Sequence, residues 1–194
     1  MTPDLAAAVW AAGLVAWLII RLPHQRRARR TGVAADARST ADRLALAAAT
    51  AGLSLVPALY VAAGIPAFAD YAFRPWMGWV GTLLEVAFLA LFYESHRQLG
   101  RNWSVSLQIR DNHHLVTDGL YRYVRHPMYS SFWLWALAQF FLLPNWVAGL
   151  AGLLGVAILY FSRVGKEEAM MRNAFGTAYD DYAARTGRVI PRLG

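Results

Sequence analysis

Two polar stretches in a largely apolar chain carry residue types that can hold a charged ligand. The first, HHLVTDGLYRYVRHPMY, runs from His113 to Tyr129. Asp118-Gly119 is a turn signal within it. Pro127 suits the first turn of a helix, where its missing N–H costs nothing. Such a helix start offers free N–H groups and the positive end of a dipole to an anionic group. Tyr121 and Tyr129 supply rings that can stack on a base or face a cation. Tyr, Trp and Arg also anchor helices at the headgroup level, which accounts for the composition. It does not account for the ordered run His126-Pro127-Met128-Tyr129.

The second stretch, SRVGKEEAMMRNAFGTAYDDY, runs from Ser162 to Tyr182. Arg163 and Glu167 are four residues apart and share a helix face. As an isolated exposed pair they would contribute little. Here they fall where an apolar run ends, which places a cation and an acid near the RHPMY segment. Glu85 sits midway along another apolar run, where an ionisable group is costly and ordinarily faces the bundle interior. Glu94, His96 and Arg97 at the end of that run suit the interface.

These residues need a frame, and composition says which kind. Of the 194 residues, 57% are hydrophobic and 16% charged, with a mean hydropathy of +0.31. Such values point to a membrane protein, and its long apolar runs read as helices, an all-α fold. A spanning helix needs about 20 mostly apolar residues. Five runs meet or approach that length: Leu5–Leu22, Leu44–Ile65, Trp76–Tyr93, Pro127–Leu143 and Trp146–Val164. The fourth is the shortest and contains Ser130 and Ser131. Pro144-Asn145 makes a turn, so the last two runs form a helical hairpin. The sequence GLAGLLG puts Gly149, Gly152 and Gly155 on one stripe of the fifth run, a seam for close helix packing. The tail reads as helical through about Arg185 and is broken by Gly187 and Pro191. The first run lacks a basic lead and a small-residue cleavage site, and reads as a crossing rather than a cleaved signal.

The formal net charge of +7 could suggest nucleic acid, but its placement does not. Of 19 Lys and Arg, 18 lie in the segments 21–43, 94–125 and 163–194, all on one side of the five runs. Arg74 alone lies on the other. The positive-inside rule puts the basic side in the cytoplasm and the N-terminus outside. The charge is then a topology signal with anionic lipids as partners. With no cysteine, disulfides, thiolate metal sites and a cysteine nucleophile are excluded. No dinucleotide fingerprint, phosphate loop or metal-ligand spacing is present.

In its C-terminal half, from about Leu99 to Pro191, the chain resembles the isoprenylcysteine carboxyl methyltransferases, integral-membrane enzymes with bacterial relatives. The pieces that carry the resemblance are LGRNWS, HHLVTDGLYRYVRHPMY, RVGKEEAMMRNAFGTAYDDY and RVIP, in that order. The resemblance divides the chain into residues 1–98, three N-terminal crossings, and residues 99–194, a methyltransferase region. It implies a multi-span helical fold that binds S-adenosylmethionine without a Rossmann domain. Carried over by motif, the cofactor positions are Gln108, His113, His114, Leu115, Val116, Tyr121, His126, Pro127, Met128, Tyr129, Glu167 and Glu168. Arg163 falls on the substrate-side arginine, and Arg163 and Glu167 carry the catalysis. The frequent Ala and Arg fit a GC-rich bacterial source, and so an inner-membrane location.

Methyl transfer suits this donor set. The reaction is a displacement at a carbon activated by positive sulfur, so the enzyme chiefly aligns nucleophile, methyl and sulfur. A lipophilic carboxylate acceptor would pair with Arg163 and need no base. An amine or hydroxyl acceptor would need one, and Glu167 or Glu168 is placed for it. Phospholipid N-methylation is thus an alternative. An NADPH-dependent sterol-reductase-like enzyme is another, though RHPMY and KEE fit it less well. A scaffold or transporter would place its polar residues at the midplane, where only Glu85 lies.

Overall fold

The computed structural model describes residues 1–28, 33–36, 39–100, 108–110 and 115–192, with residues 27–28, 33–36 and 108–110 described by backbone path only. The body is helical, and the chain is a multi-pass membrane protein. Helix α1 covers Pro3–Ala28. Helix α2, Thr40–Thr50, runs through a wide π turn, Ala51–Leu55, into α3, Val56–Ala63. The π turn sits just before Pro57. Proline lacks the N–H that the preceding turn requires, and the widened turn absorbs the missing bond. Helix α4 covers Pro75–Leu99 and starts with proline at its first position. Helix α5 is Pro127–Leu142, α6 is Trp146–Phe175 and α7 is Thr177–Arg185.

Four stretches are long and apolar enough to cross a membrane: Pro3–Arg26, Thr40–Ala63, Pro75–Leu99 and Trp146–Phe175. They match the first, second, third and fifth runs read from the sequence. The other run is the 16-residue helix α5. At 1.5 Å per residue it is about 24 Å long, short of a hydrocarbon core of about 30 Å. It packs along α4 and α6 instead of standing alone. The tail departs from the single helix expected. Gly176, with φ +54°, ends α6 and turns the chain into α7.

Small residues set the spacing of the helices. A Cβ added at Gly52 would lie 2.1 Å from the Ala151 carbonyl oxygen, and one at Gly155 would lie 2.7 Å from the Ala48 carbonyl oxygen. Both approaches join the second crossing to α6. The glycine stripe of α6 therefore serves α2 and the π turn as well as the hairpin partner α5. Gly52→Ala should overpack this seam and lower stability by about 1–3 kcal/mol. Thermal unfolding of the purified chain in lipid nanodiscs measures it, and an unchanged midpoint would contradict the seam. Glu85 is 2% exposed and lies against Gly13 of α1, facing the bundle interior as expected.

The two ends of the bundle are tied differently. At one end, Asn145 caps α6 by accepting the Ala148 amide at 2.9 Å, and its Nδ2 donates to the Pro66 carbonyl and Asp70 Oδ1, both at 2.7 Å. That end holds the turn between α5 and α6 against the segment before α4. At the other end a short antiparallel pair joins β1, Val33–Asp36, to β2, Gln108–Arg110. It adds the one strand pairing of more than a single bridge among the described residues of an otherwise helical fold. The basic loops after α1 and α4 therefore lie on the same side, together with the start of α5.

Candidate active site

The site is assembled at the end of the bundle that carries the basic loops. Four elements contribute: the segment before α5, the first turn of α5, the lower part of α6, and the start of α2. The approach to α5 is shaped first. After Asp118 a 3₁₀ turn spans Gly119–Arg122, and the Leu120 amide donates to Gln98 Oε1 at 2.9 Å. This pins the segment to the end of α4. Tyr121 is buried, and Tyr182 of α7 donates its hydroxyl to the Tyr121 carbonyl at 2.7 Å. Burial pushes the Tyr121 phenol well above its ordinary pKa, so it stays neutral.

The tail then lies against this segment. The Gly187 amide donates to the Tyr123 carbonyl at 3.1 Å, the Arg125 amide to the Gly187 carbonyl at 2.8 Å and the His126 amide to the Arg188 carbonyl at 2.9 Å. Ser130 Oγ extends the contact by donating to the Val189 carbonyl at 2.6 Å. These bonds make residues 187–189 a strap along the chain that enters α5. The RVIP piece of the sequence is that strap.

Two neighbouring glutamates on α6 divide the work. Glu168 turns inward, with 2% of its side chain exposed. Its Oε1 accepts from Arg125 Nε at 3.1 Å and Nη2 at 3.0 Å, and its carboxylate also accepts from Arg188 Nε at 3.1 Å and Nη2 at 2.9 Å. Arg125 goes on to donate to the carbonyls of Ala183 and Thr186. One carboxylate thus fastens the α5 approach, the strap and α7 to α6. Charge-assisted bonds from two forks are among the stronger ones available.

Glu167 keeps 25% of its side chain exposed. Tyr129 donates its hydroxyl to Glu167 Oε1 at 2.8 Å, Arg163 Nε stands 3.5 Å from the same oxygen, and His126 Nδ1 stands 3.6 Å from Oε2. His126 Nε2 lies 3.5 Å from Glu168 Oε1, so its ring bridges the two acids. Arg163 is 6% exposed and pairs with Asp42 of α2, Nε to Oδ1 at 2.9 Å.

Among the residues singled out from the sequence, Tyr129, His126, Arg163, Glu167 and Glu168 converge here. Pro127 is buried at the first position of α5, and half-buried Met128 packs against the core cluster that includes Phe92 and Trp135. Leu115 and Val116 are half-buried in the irregular segment leading to Asp118. Gln108 is described only as part of β2, and His113 and His114 lie outside the described residues. Asp42, Arg125 and Arg188 were not singled out from the sequence as site residues. For Asp42 the one available signal was a lone acid beside the basic run that opens the second crossing. For Arg188 it was the RVIP piece.

The donor set fits a zwitterionic ligand. A partly exposed carboxylate can take an ammonium group. The start of α5, whose first amides have no intrahelical acceptor, can take a carboxylate. Tyr129 and His126, both at that start, reach across to Glu167.

Residues 80–173 match the model of the isoprenylcysteine carboxyl methyltransferase (ICMT) family. Over 98 residues the chain is 38% identical to the protein-S-isoprenylcysteine O-methyltransferase of Schizosaccharomyces pombe, covering 50% of this chain and 42% of that protein. It is 33% identical over 94 residues to the probable protein-S-isoprenylcysteine O-methyltransferase of Oryza sativa subsp. indica, covering 47% and 49%. It is 30% identical over 118 residues to the protein-S-isoprenylcysteine O-methyltransferase of Mus musculus, covering 60% and 42%. The matches thus span somewhat under half the length of these curated relatives.

Proposed function

We propose, from the match of residues 80–173 to the model of the isoprenylcysteine carboxyl methyltransferase family, that this chain is a member of that family, a membrane methyltransferase using S-adenosylmethionine to esterify a lipophilic carboxylate. The observation that carries this is the pairing of Glu167 and Arg163. One acid and one arginine share a helix face at the end of a crossing and stand 3.5 Å apart, so an ammonium group held by the first and a carboxylate held by the second would meet at one place.

When bound, S-adenosylmethionine supplies a methyl carbon already activated by positive sulfur. Glu167 holds the ammonium end, steadied by Tyr129 and His126. The first turn of α5 receives the amino-acid carboxylate. Leu115 and Val116 are assigned to the adenosine side and Tyr121 to the next cofactor position, while the cofactor roles of Gln108, His113 and His114 rest on their motif positions alone. Glu168 binds no ligand directly; with Arg125 and Arg188 it keeps the wall of the site in place. Arg163 holds the acceptor carboxylate. The bound cofactor would supply a methyl carbon for displacement, in which the O–C bond to the acceptor would form as the C–S bond broke and the electron pair stayed on sulfur. No proton moves, so no general base is needed.

Residues 99–194 form the methyltransferase region, and the helices of residues 1–98 complete the bundle. The chain crosses five times, with α5 as a short crossing carried by α4 and α6. Its N-terminus lies outside, and the site opens to the cytoplasm of a bacterial inner membrane. The cofactor enters from water and the acceptor from the bilayer. Calorimetry with S-adenosylhomocysteine on the chain in nanodiscs tests the cofactor. Saturable binding supports it, and folded protein that binds NADPH instead overturns it.

A further inference from the structure

Asp42 lies outside the residues that match the family model, and its surroundings mark it as more than a helix cap. Ser39 Oγ accepts the Asp42 amide at 3.2 Å, which makes Asp42 the third residue of α2. An acid there usually faces water and complements the helix dipole. This one is 2% exposed, with its carboxylate against Arg163. Ala45 and Ala49 follow on the same face and pack with Leu159, Tyr160 and Val164 of α6 and Tyr129 of α5. Gly155 lets α6 approach the α2 backbone closely. The seam therefore delivers a carboxylate to the arginine that also touches Glu167.

A buried ion pair is a poor source of net stability, because desolvating both charges offsets their attraction. What it supplies is a fixed place. Asp42 Oδ1 and Glu167 Oε1 lie 2.9 Å and 3.5 Å from Arg163 Nε as charge contacts rather than aligned hydrogen bonds, so two acids hold the guanidinium at this side of the site. We propose that Asp42 is a positioning residue for Arg163, orienting the guanidinium so that the acceptor carboxylate lies in line with the transferring methyl group. This role rests on the methyltransferase function proposed above. It makes the second crossing part of the active site.

The role has an unusual kinetic signature. Asp42 partly neutralises Arg163, which weakens its grip on an anionic acceptor, and orients it, which speeds transfer. Losing Asp42 should therefore slow the chemistry without weakening acceptor binding. The test uses the full chain in nanodiscs, S-adenosylmethionine, and N-acetyl-S-farnesylcysteine as the acceptor probe. Asp42→Asn is expected to lower kcat by about tenfold or more, since misplaced reacting groups lose their alignment. The KM for the probe should stay the same or fall, and S-adenosylhomocysteine affinity should hold. Asp42→Glu should recover part of kcat. A wild-type kcat in Asp42→Asn, or a lowered kcat with a raised KM and weakened S-adenosylhomocysteine binding, would overturn the proposal. A thermal double-mutant cycle of Asp42→Asn with Arg163→Gln reads the pair without turnover. Non-additive shifts support it, and additive shifts overturn it. Wild-type protein that binds S-adenosylhomocysteine but methylates no carboxylate would instead count against the proposed function, and the cycle would still decide the pairing.

Discussion

Replacing Arg163 by Ala should cut methyl transfer by about 10²–10³-fold, the usual cost of losing a donor placed on a reacting group. Binding of S-adenosylhomocysteine should persist, because the proposed role of Arg163 is on the acceptor and its contact with Glu167 is long, at 3.5 Å. Stability is the complication. Asp42 would be left buried without its partner, and breaking one side of a buried pair costs about 3–5 kcal/mol. Two companion variants separate the effects. Arg163→Lys keeps the charge but loses the planar fork, so it should stay folded and remain slow. Arg163→Ala combined with Asp42→Asn removes both charges, and should regain stability without regaining turnover. Parallel loss of cofactor binding and turnover in Arg163→Lys would show that Arg163 is not an acceptor residue.

Glu168→Ala should behave in the opposite way. Its carboxylate is the common acceptor for Arg125, whose side chain is 10% exposed, and Arg188, which is 54% exposed. Arg125 would be left buried without its anion, a loss of about 3–5 kcal/mol by the same reasoning. Arg188 can turn to water and contributes less. With both contacts gone, residues 187–189 keep their backbone bonds to the α5 approach and the Ser130 hydroxyl bond to the Val189 carbonyl. The expected result is a lower melting midpoint, faster proteolysis in the tail, and weaker S-adenosylhomocysteine binding as the wall loosens. Glu168→Gln keeps the shape and one acceptor oxygen, so its loss should be smaller. A Glu168→Ala protein with wild-type melting and tail protection would contradict the fastening role. The two variants thus fail differently. Arg163→Ala loses turnover with the cofactor still held, whereas Glu168→Ala loses the cofactor along with its frame.

Much of the fold is written in residue order. The long crossings announce themselves because each must satisfy its own backbone in lipid, and only an apolar helix of sufficient length does so. The basic loops group on one side, and the pairing of β1 with β2 brings two of them together. The RHPMY and KEE segments were legible as a site because a helix start and a helix exit carry local signatures. Asp42 was not. Its partner is far along the chain, and the contact exists only because Gly155 and the alanines of α2 bring two helices close. A glycine stripe tells that something packs there, and leaves open which helix. Gly176 escaped for a different reason. Helical composition continues through Thr177–Arg185, so the break shows only as one residue with positive φ. The division between Glu167 and Glu168 was also beyond the sequence. Adjacent residues on a helix point about 100° apart, and which one faces the strap depends on where Arg188 returns.

Methyl transfer itself is the most direct test. The purified chain in nanodiscs would be given S-adenosylmethionine carrying a tritiated methyl group, with N-acetyl-S-farnesylcysteine and, separately, a membrane lipid extract. Base treatment then releases the label of a carboxyl methyl ester as volatile methanol, while an N-methyl group stays in place. Carboxyl methylation predicts labelled, base-labile product from wild type and a large loss of it from Arg163→Lys. Base-stable label, or no label from protein that binds S-adenosylhomocysteine, would contradict it.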